Sequence, residues 1–297
     1  MNLLDLAKVA PQAMPLKVPA WTLGCFHRRS ITYANGAEDA STRVIWIQTH
    51  GLTGDLRVPA ERPDVSHRAG LAECSLDELA ALAHAEGGIA DTGWADGRMD
   101  WSNWAAVQPY DKWPEPGELR RVGGCLMEFA PSGVYVEDWR LQPGSAGPLI
   151  GLRLLEEAGA PRDGGLVIAG DHAILALGRT ADLPTDAPLP AQVLAGVDPG
   201  ALFGAEARYA VNDGDRYVTR LATNPFLEGQ ALDLEGFTAG PEPGQVRQGA
   251  RLWRIDTLLP DRQQPPATDA DPEGLAWLER EADRLPHSSA GSSPRRR

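Results

Sequence analysis

The first half of the chain alternates apolar and polar residues over short runs that glycine and proline separate, the pattern of strands with one buried face. Residues 43–49 (RVIWIQT) set Val44, Trp46 and Gln48 on one face and Ile45 and Ile47 on the other. Both faces are largely apolar, so a central strand is predicted there. Residues 54–58 alternate Asp55 and Arg57 against Leu56 and Val58, and Pro59 ends the pairing because it has no N–H to offer. Residues 98–104, 125–129 and 133–140 continue the series, and in the last of these Tyr135, Glu137 and Trp139 share a face.

One helix interrupts the strands. Ser75 and Glu78 form an S-x-x-E capping box ahead of Leu76, Leu79, Leu82 and Ala83, with Gly87-Gly88 as the expected stop, so a helix over 75–86 is predicted to plug or flank a sheet.

The strand rhythm resumes after residues 143–148. Residues 166–169 and 172–177 flank Gly170-Asp171, and 207–211 and 216–222 flank Asn212-Asp213-Gly214-Asp215, two hairpin signals. Residues 230–234 and 251–258 read as further strands, whereas the apolar run 149–155 fits helix or strand. Residues 180–199, rich in Pro, Asp and Ala without periodicity, read as a surface connection. Asp271 as N-cap and Pro272 at the first helical position open a last helix over 271–285, striped by Leu275, Leu278, Ala282 and Leu285 and expected to dock on the outside of the second half. Residues 286–297, ending in three arginines, read as a solvated tail. The sum is a mainly β protein: an N-terminal β-barrel over 1–142 and a second over 149–260, or one large sandwich, with a few short helices.

Composition narrows the function classes. A chain of 297 residues with 42% apolar content can bury a proper core. Its net charge of -13 is repelled by phosphate, so neither nucleic acid nor an anionic membrane is expected as partner. No run approaches the ~18 apolar residues of a membrane span, and Asp5 among Leu3, Leu4 and Leu6 breaks any secretory signal. Cys25, Cys74 and Cys125 are odd in number and far apart, which argues against a disulfide framework or a zinc site and for a reducing cytoplasm. The six histidines show no metal-ligand spacing, and no phosphate-binding glycine motif or nucleophile elbow occurs, so no metal, no cofactor and no covalent catalysis are expected.

Candidate chemistry concentrates in one band. Seven of the nine tryptophans (Trp21, Trp46, Trp94, Trp101, Trp104, Trp113, Trp139) lie in the first half, interleaved with Asp55, Arg57, Arg62, Asp100, Asp111 and Glu128. Aromatic faces beside placed charges are what a cavity for an organic molecule needs. Glu137 between Tyr135 and Trp139 reads as a general base with Tyr135 as acid, or equally as the partner of an arginine such as Arg57 or Arg98. Asp55 is an alternative base, or simply the acid that holds Arg57. Arg57 and Arg62 offer a planar fork to a carboxylate or phenolate, and Trp46, Gln48, Trp101 and Trp139 complete the expected lining. Trp101 and Trp104 fall on opposite faces of a regular strand, so only one is expected to face the cavity. His172, just after the Gly170-Asp171 turn, is the alternative acid by its ordinary pKa near ~6.5, although a lone histidine is more often structural. Arg251 and Trp253, near the end of the last long strand, resemble the calycin arrangement in which an arginine stacks on the tryptophan that opens the barrel; that resemblance implies a structural closing contact, with Trp21 or Trp46 as the opening partner.

The blocks VIWIQT, DLRVP and the run from Gly124 through CLMEF to VYVEDWRLQP, with GGLVIAGDHAILALG at 164–178, resemble the fungal Hri family of lipocalin-like proteins. The resemblance covers Trp46 to about Arg179 and implies a pair of calycin-like barrels, but little about chemistry. The family is named for interaction with a casein kinase, a role not carried over because the capped helix, the WADGRMDWSNW segment and the C-terminal extension depart from its pattern. Two functions are therefore expected. One is a cofactor-independent enzyme performing proton transfer (isomerase, lyase or hydratase chemistry) on a small aromatic or cyclic molecule. The other is a non-catalytic small-molecule carrier or protein-interaction module. The enzyme is preferred because charges among aromatics cost desolvation that a purely apolar carrier need not incur.

Overall fold

The computed structural model describes residues 1–110, 115–263 and 272–281. In chain order the first half contains α1 (Leu3–Val9), β1 (Gln12–Ala13), β2 (Gly24–Tyr33), β3 (Glu38–Asp39), β4 (Arg43–Gln48), β5 (Leu52–Val58), α2 (Leu76–Leu82), β6 (Glu86–Ala95), β7 (Arg98–Ala106), β8 (Gly117–Val122), β9 (Cys125–Phe129) and β10 (Tyr135–Leu141). The second half contains β11 (Gly147–Glu157), β12 (Ala160–Ala169), β13 (His172–Leu177), α3 (Leu189–Leu194), α4 (Pro199–Leu202), β14 (Glu206–Asn212), β15 (Tyr217–Ala222), β16 (Phe237–Ala239), β17 (Gln245–Gln248), β18 (Arg251–Arg262) and α5 (Pro272–Glu281). None of the described helices is long and apolar enough to cross a membrane.

The strands from Gly24 to Leu141 form a barrel, while α1 and β1, expected within it, sit against the second sheet. β10 runs antiparallel to β2 from Tyr135↔Tyr33 to Leu141↔Phe26, which joins the two ends of the ladder β2-β4-β5-β6-β7-β8-β9-β10 into an eight-stranded barrel, with the short β3 on the side of β2. The closure is uneven: among the described residues β7 and β8 pair only through Arg98↔Glu118 and Met99↔Gly117, whereas the other neighbours in the barrel share longer ladders. The second half forms a sheet in the order β15-β14-β13-β12-β11-β18-β17-β16, with β1 also on β18. Its ladder does not close: among the described residues β15 and β16 share no pairing. The strand expected over 230–234 is reduced to a single bridge, Val218↔Ala231, in a segment that bonds β15 through Leu232 N to Tyr217 O at 2.8 Å.

The run 149–155 is strand, and its burial explains why periodicity alone leaves it ambiguous. Ile150, Leu152 and Leu154 enter the core of the second sheet, while Leu149 faces the first barrel, so both faces are buried. β12 and β13 behave likewise, with Leu166, Ile168 and Leu175 inside and Val167 and Ile174 against β5. The two layers approach closely there: a Cβ on Gly54 would lie 2.5 Å from Val167 Cγ2, which only glycine avoids. Asp256 of β18 pins the same seam, its Oδ2 accepting from Thr49 Oγ1 at 2.9 Å and from the Gly51 N–H at 3.1 Å.

Two local expectations fail for tertiary reasons. The Ser75 capping box forms, with Glu78 N donating to Ser75 Oγ at 3.2 Å and Ser75 N to Glu78 Oε2 at 2.6 Å, but α2 stops at Leu82. Gly87-Gly88 lies inside β6 instead of ending the helix, because a Cβ on Gly88 would sit 2.5 Å from the Ala105 carbonyl of the neighbouring β7. The expected surface connection 180–199 carries α3 and the start of α4, whose Leu189, Val193 and Leu202 are buried in the first core. Asp111, Trp113, Asp271, Ala282, Leu285, the side chains of Leu275 and Leu278, and residues 286–297 lie outside the described residues.

Candidate functional site

The barrel is hollow at one end and solid at the other. At the solid end Gln48 Nε2 donates to the carbonyls of Thr49 and Leu52 at 2.9 and 3.1 Å, Thr53 Oγ1 donates to Gln48 Oε1, and Trp46 and Trp101 each direct an indole N–H at Thr53 Oγ1. Beneath them Phe26 stacks on Trp46 with centroids 5.0 Å apart, and the Arg121 guanidinium lies 5.4 Å from the Phe26 ring centre and donates to the Trp21 carbonyl. The arginine that closes this end is therefore Arg121. Arg251 pairs instead with Glu157 at 2.6 Å, and Trp253 belongs to the core of the second sheet.

Above this floor opens a cavity of about 610 Å³, walled by Trp46, Trp101 and Trp139 and rimmed by Trp104, Tyr110 and Leu183. Trp46 and Trp139 meet edge to face at 5.7 Å. Trp101 and Trp104 both line the cavity, contrary to the expectation from strict alternation. Asn103 between them adopts a left-handed conformation (φ 52°), and the β6–β7 register shifts opposite it, between Ile89 and Asp91. The bulge turns Trp104 back to the cavity side. Arg153 of the second sheet holds it by donating to the Asn103 carbonyl while pairing with Asp163 at 2.7 Å.

The polar part of the lining comes from three strands whose alternate residues point inward. β5 supplies Asp55 and Arg57, paired at 2.9 Å; β10 supplies Tyr135 and Glu137; β9 supplies Glu128, whose Oε1 accepts from Tyr135 Oη at 3.1 Å. Glu128 stands directly opposite Glu137 in the β9–β10 register, an arrangement that disfavours two ionised carboxylates side by side. Glu137 pairs with Arg28 at 2.7 Å, and Arg28 also binds Asp39 at 2.9 Å. Burial, with the charges of Glu137 and Asp55 and against the pull of Arg57 and Tyr135, pushes the Glu128 carboxyl up to about 8. Burial and the same two glutamates hold the Tyr135 phenol well above its ordinary value. Arg57 resists its burial because Asp55 and Glu137 keep it charged.

Of the residues singled out in the sequence, Glu137, Tyr135, Asp55, Arg57, Trp46, Trp101 and Trp139 converge on the cavity. Three do not. Gln48 is fully buried and spent on the floor network. Arg62 leaves the barrel to bind Glu228 at 2.7 Å and the Ala222 carbonyl at 3.0 Å, beside a second cleft of about 360 Å³ that shares Arg57 and Glu86 with the cavity. His172 lies at the seam between the sheets, where Nε2 donates to the Pro143 carbonyl at 2.8 Å and Nδ1 accepts from Tyr209 Oη at 2.7 Å, so neither nitrogen is available to shuttle a proton. Arg98, the other arginine considered for Glu137, is taken by Glu118 at 2.6 Å.

Two important groups escape the sequence reading, Glu128 as a chemical centre and Arg28. The alternation of CLMEF places Leu126 and Glu128 on one face, but only the β9–β10 register sets Glu128 against Glu137. Nothing local marks Arg28, which is 109 residues from its partner. Residues 181–185, read as surface, contribute Asp182, Leu183 and Thr185 to the cavity rim. Among the described residues no group of three or more His, Cys, Asp or Glu side chains is arranged to hold a metal ion.

Fold and site together define a closed antiparallel β-barrel protein with an internal cavity of aromatic walls and clustered carboxyl groups. No protein-family model matches the chain, and no curated protein matches its sequence. In structure it is similar to the uncharacterized protein YLR301w from Saccharomyces cerevisiae, at 12% identity and a TM-score of 0.47, over 81% of this chain and 99% of that one.

Proposed function

We propose that the barrel cavity binds a small ring-bearing organic molecule and performs cofactor-independent proton transfer on it, with Glu128 as the group that takes and returns the proton and Tyr135 as its hydrogen-bonded partner. The observation that carries this reading is the Glu128–Tyr135 pair facing the tryptophan-walled space. Glu128 assumes the role first expected of Glu137 or Asp55, because those two already have arginine partners. A carboxyl group that changes charge at about 8 can serve as acid below that pH and as base above it. Those ion pairs also favour the non-catalytic alternative, a carrier in which the charges serve only to order the wall.

At the level of fold, the reading keeps the resemblance to the fungal Hri family, whose sequence blocks fall on β4, β5, β9 and β10, and treats the second sheet as an unclosed counterpart of the first barrel. It keeps a cytoplasmic location on the strength of three free cysteines, and a small organic molecule, neither nucleic acid nor membrane, as partner on the strength of the net charge of -13.

The test is a generic carbon acid. 5-Nitrobenzisoxazole loses its C3 proton to a base, its N–O bond breaks, and the coloured cyanophenolate leaves, so turnover reports a working carboxylate in an aromatic cavity. The expected rate saturates, rises with pH through about 8 and collapses in Glu128→Gln. Saturable binding without turnover selects the carrier; turnover unchanged in Glu128→Gln removes that residue from the chemistry.

A further inference from the structure

We infer that the ligand of this cavity is a cation: a ring-bearing ammonium held between the tryptophan faces and the carboxylates, not the carboxylate or phenolate that Arg57 was expected to anchor. The inference deepens the proposed function and rests on the cavity being a binding site. Three observations support it.

The first is the charge balance of the lining. Among the described residues six acids face the cavity (Asp55, Glu86, Glu115, Glu128, Glu137 and Asp182) against Arg57 and Arg179, and the acids remain in excess when Arg28 behind Glu137 is counted. The second is that the arginines at the bottom of the site are committed. Arg57 binds Asp55, and Arg28 bridges Glu137 and Asp39, so at the bottom of the site an anion meets guanidinium groups already paired with carboxylates. Burying an anion there adds like-charge repulsion to its desolvation cost, whereas a cation recovers part of its lost hydration from the surrounding acids.

The third is the shape of the aromatic wall. Trp46, Trp101, Trp104 and Trp139, with Tyr110 and Tyr135, surround the space on several sides, and the indole face is the best side-chain surface for an organic cation. The chain's charge of -13 draws cations toward the mouth from a distance. A positive charge on the ligand also acidifies its neighbouring C–H bonds and favours the ionised form of Glu128, which suits the proton transfer proposed above. Arg179 at the rim opposes the cation: it donates to the Val107 carbonyl and has no carboxylate partner among its described contacts.

Tryptophan fluorescence titration of the full chain decides the matter with three probes of one shape: benzyltrimethylammonium, whose charge is independent of pH, its neutral isostere neopentylbenzene, and the anion phenylacetate. The ammonium is expected to bind at least about tenfold more tightly than either of the others, and Trp104→Ala to weaken it about fivefold. Trp104 is 38% exposed, so its removal leaves the core intact, and an unchanged melting curve checks this. Phenylacetate or the neutral probe binding as tightly as the ammonium overturns the cation while leaving the cavity reading in place, and loss of phenylacetate binding in Arg179→Gln would then locate the anion at the rim. Failure of all three probes to bind at millimolar concentration overturns both.

Discussion

The two halves of the molecule are built from the same alternating strands yet have opposite interiors. In the second sheet the inward positions are Ile150, Leu152, Leu154, Leu166 and Ile168, joined by Trp253 and Phe237, and α1 adds the fully buried Leu3 and Ala7, so the space is filled with hydrocarbon. In the first barrel the inward positions on β5, β9 and β10 include Asp55, Arg57, Glu128 and Glu137, and the space stays open. Apolar side chains collapse to solid density because dispersion attraction favours every close approach between them. Carboxylates and guanidinium groups cannot be packed dry at that density without losing hydration, so they settle into pairs along the wall and leave the centre to solvent or a ligand. The contrast follows the residues at the inward register, apolar in the second sheet and charged in the first, alongside the closure that only the first sheet makes.

The largest expected way to break the contrast is to remove Arg28. Its side chain is 4% exposed and that of Glu137 is 3%, so Arg28→Leu strands a buried carboxylate and is expected to cost about 3–5 kcal/mol in urea unfolding. The double variant Arg28→Leu/Glu137→Leu should recover most of that loss; if it does not, the pair is not what makes the single change costly. On the solid side, Leu152→Ala opens a void in a packed core and is expected to cost about 3 kcal/mol by the same measurement, with no effect on binding of ring-bearing probes in the barrel. An altered probe affinity would show that the two interiors are coupled.

The mildest substitution, and the one that sharpens the comparison, is Glu128→Gln. Because the folded carboxyl is raised to about 8, the folded chain retains a proton that the unfolded chain releases near ~4.3, and stability falls as pH rises through that interval before levelling off above 8. The glutamine variant lacks this loss. Its melting temperature is expected to match the parent's within a few degrees at pH 5 and to exceed it at pH 9. Parallel pH profiles for the two proteins would show that Glu128 is not held in its neutral form.

Much of the fold was legible. The alternation in CLMEF marks β9 from Cys125 to Phe129, the Gly170-Asp171 turn joins β12 to β13, and the Ser75–Glu78 box opens α2, because each is dictated by residues within a few positions of one another. The shared face of Tyr135, Glu137 and Trp139 follows for the same reason, and all three line the cavity. What failed depended on neighbours: Gly87-Gly88 looked like a helix stop until β7 lay beside it, and Trp104 looked outward until the Asn103 bulge, held by Arg153 from the other half, turned it in.

By itself the chain's order of residues determined that there would be short antiparallel strands, which residues would share a face, and that aromatic and charged groups would gather in the first half. Tertiary structure alone decided that β10 would close on β2, that Glu128 would meet Glu137 across β9 and β10, that Arg28 would pair with the second of these, and that residues 181–185 would form part of the rim. The division follows from range: side-chain direction along a strand is set by a two-residue period, whereas charge pairing and the protonation state of a carboxyl are set by what the closed barrel brings within a few ångströms.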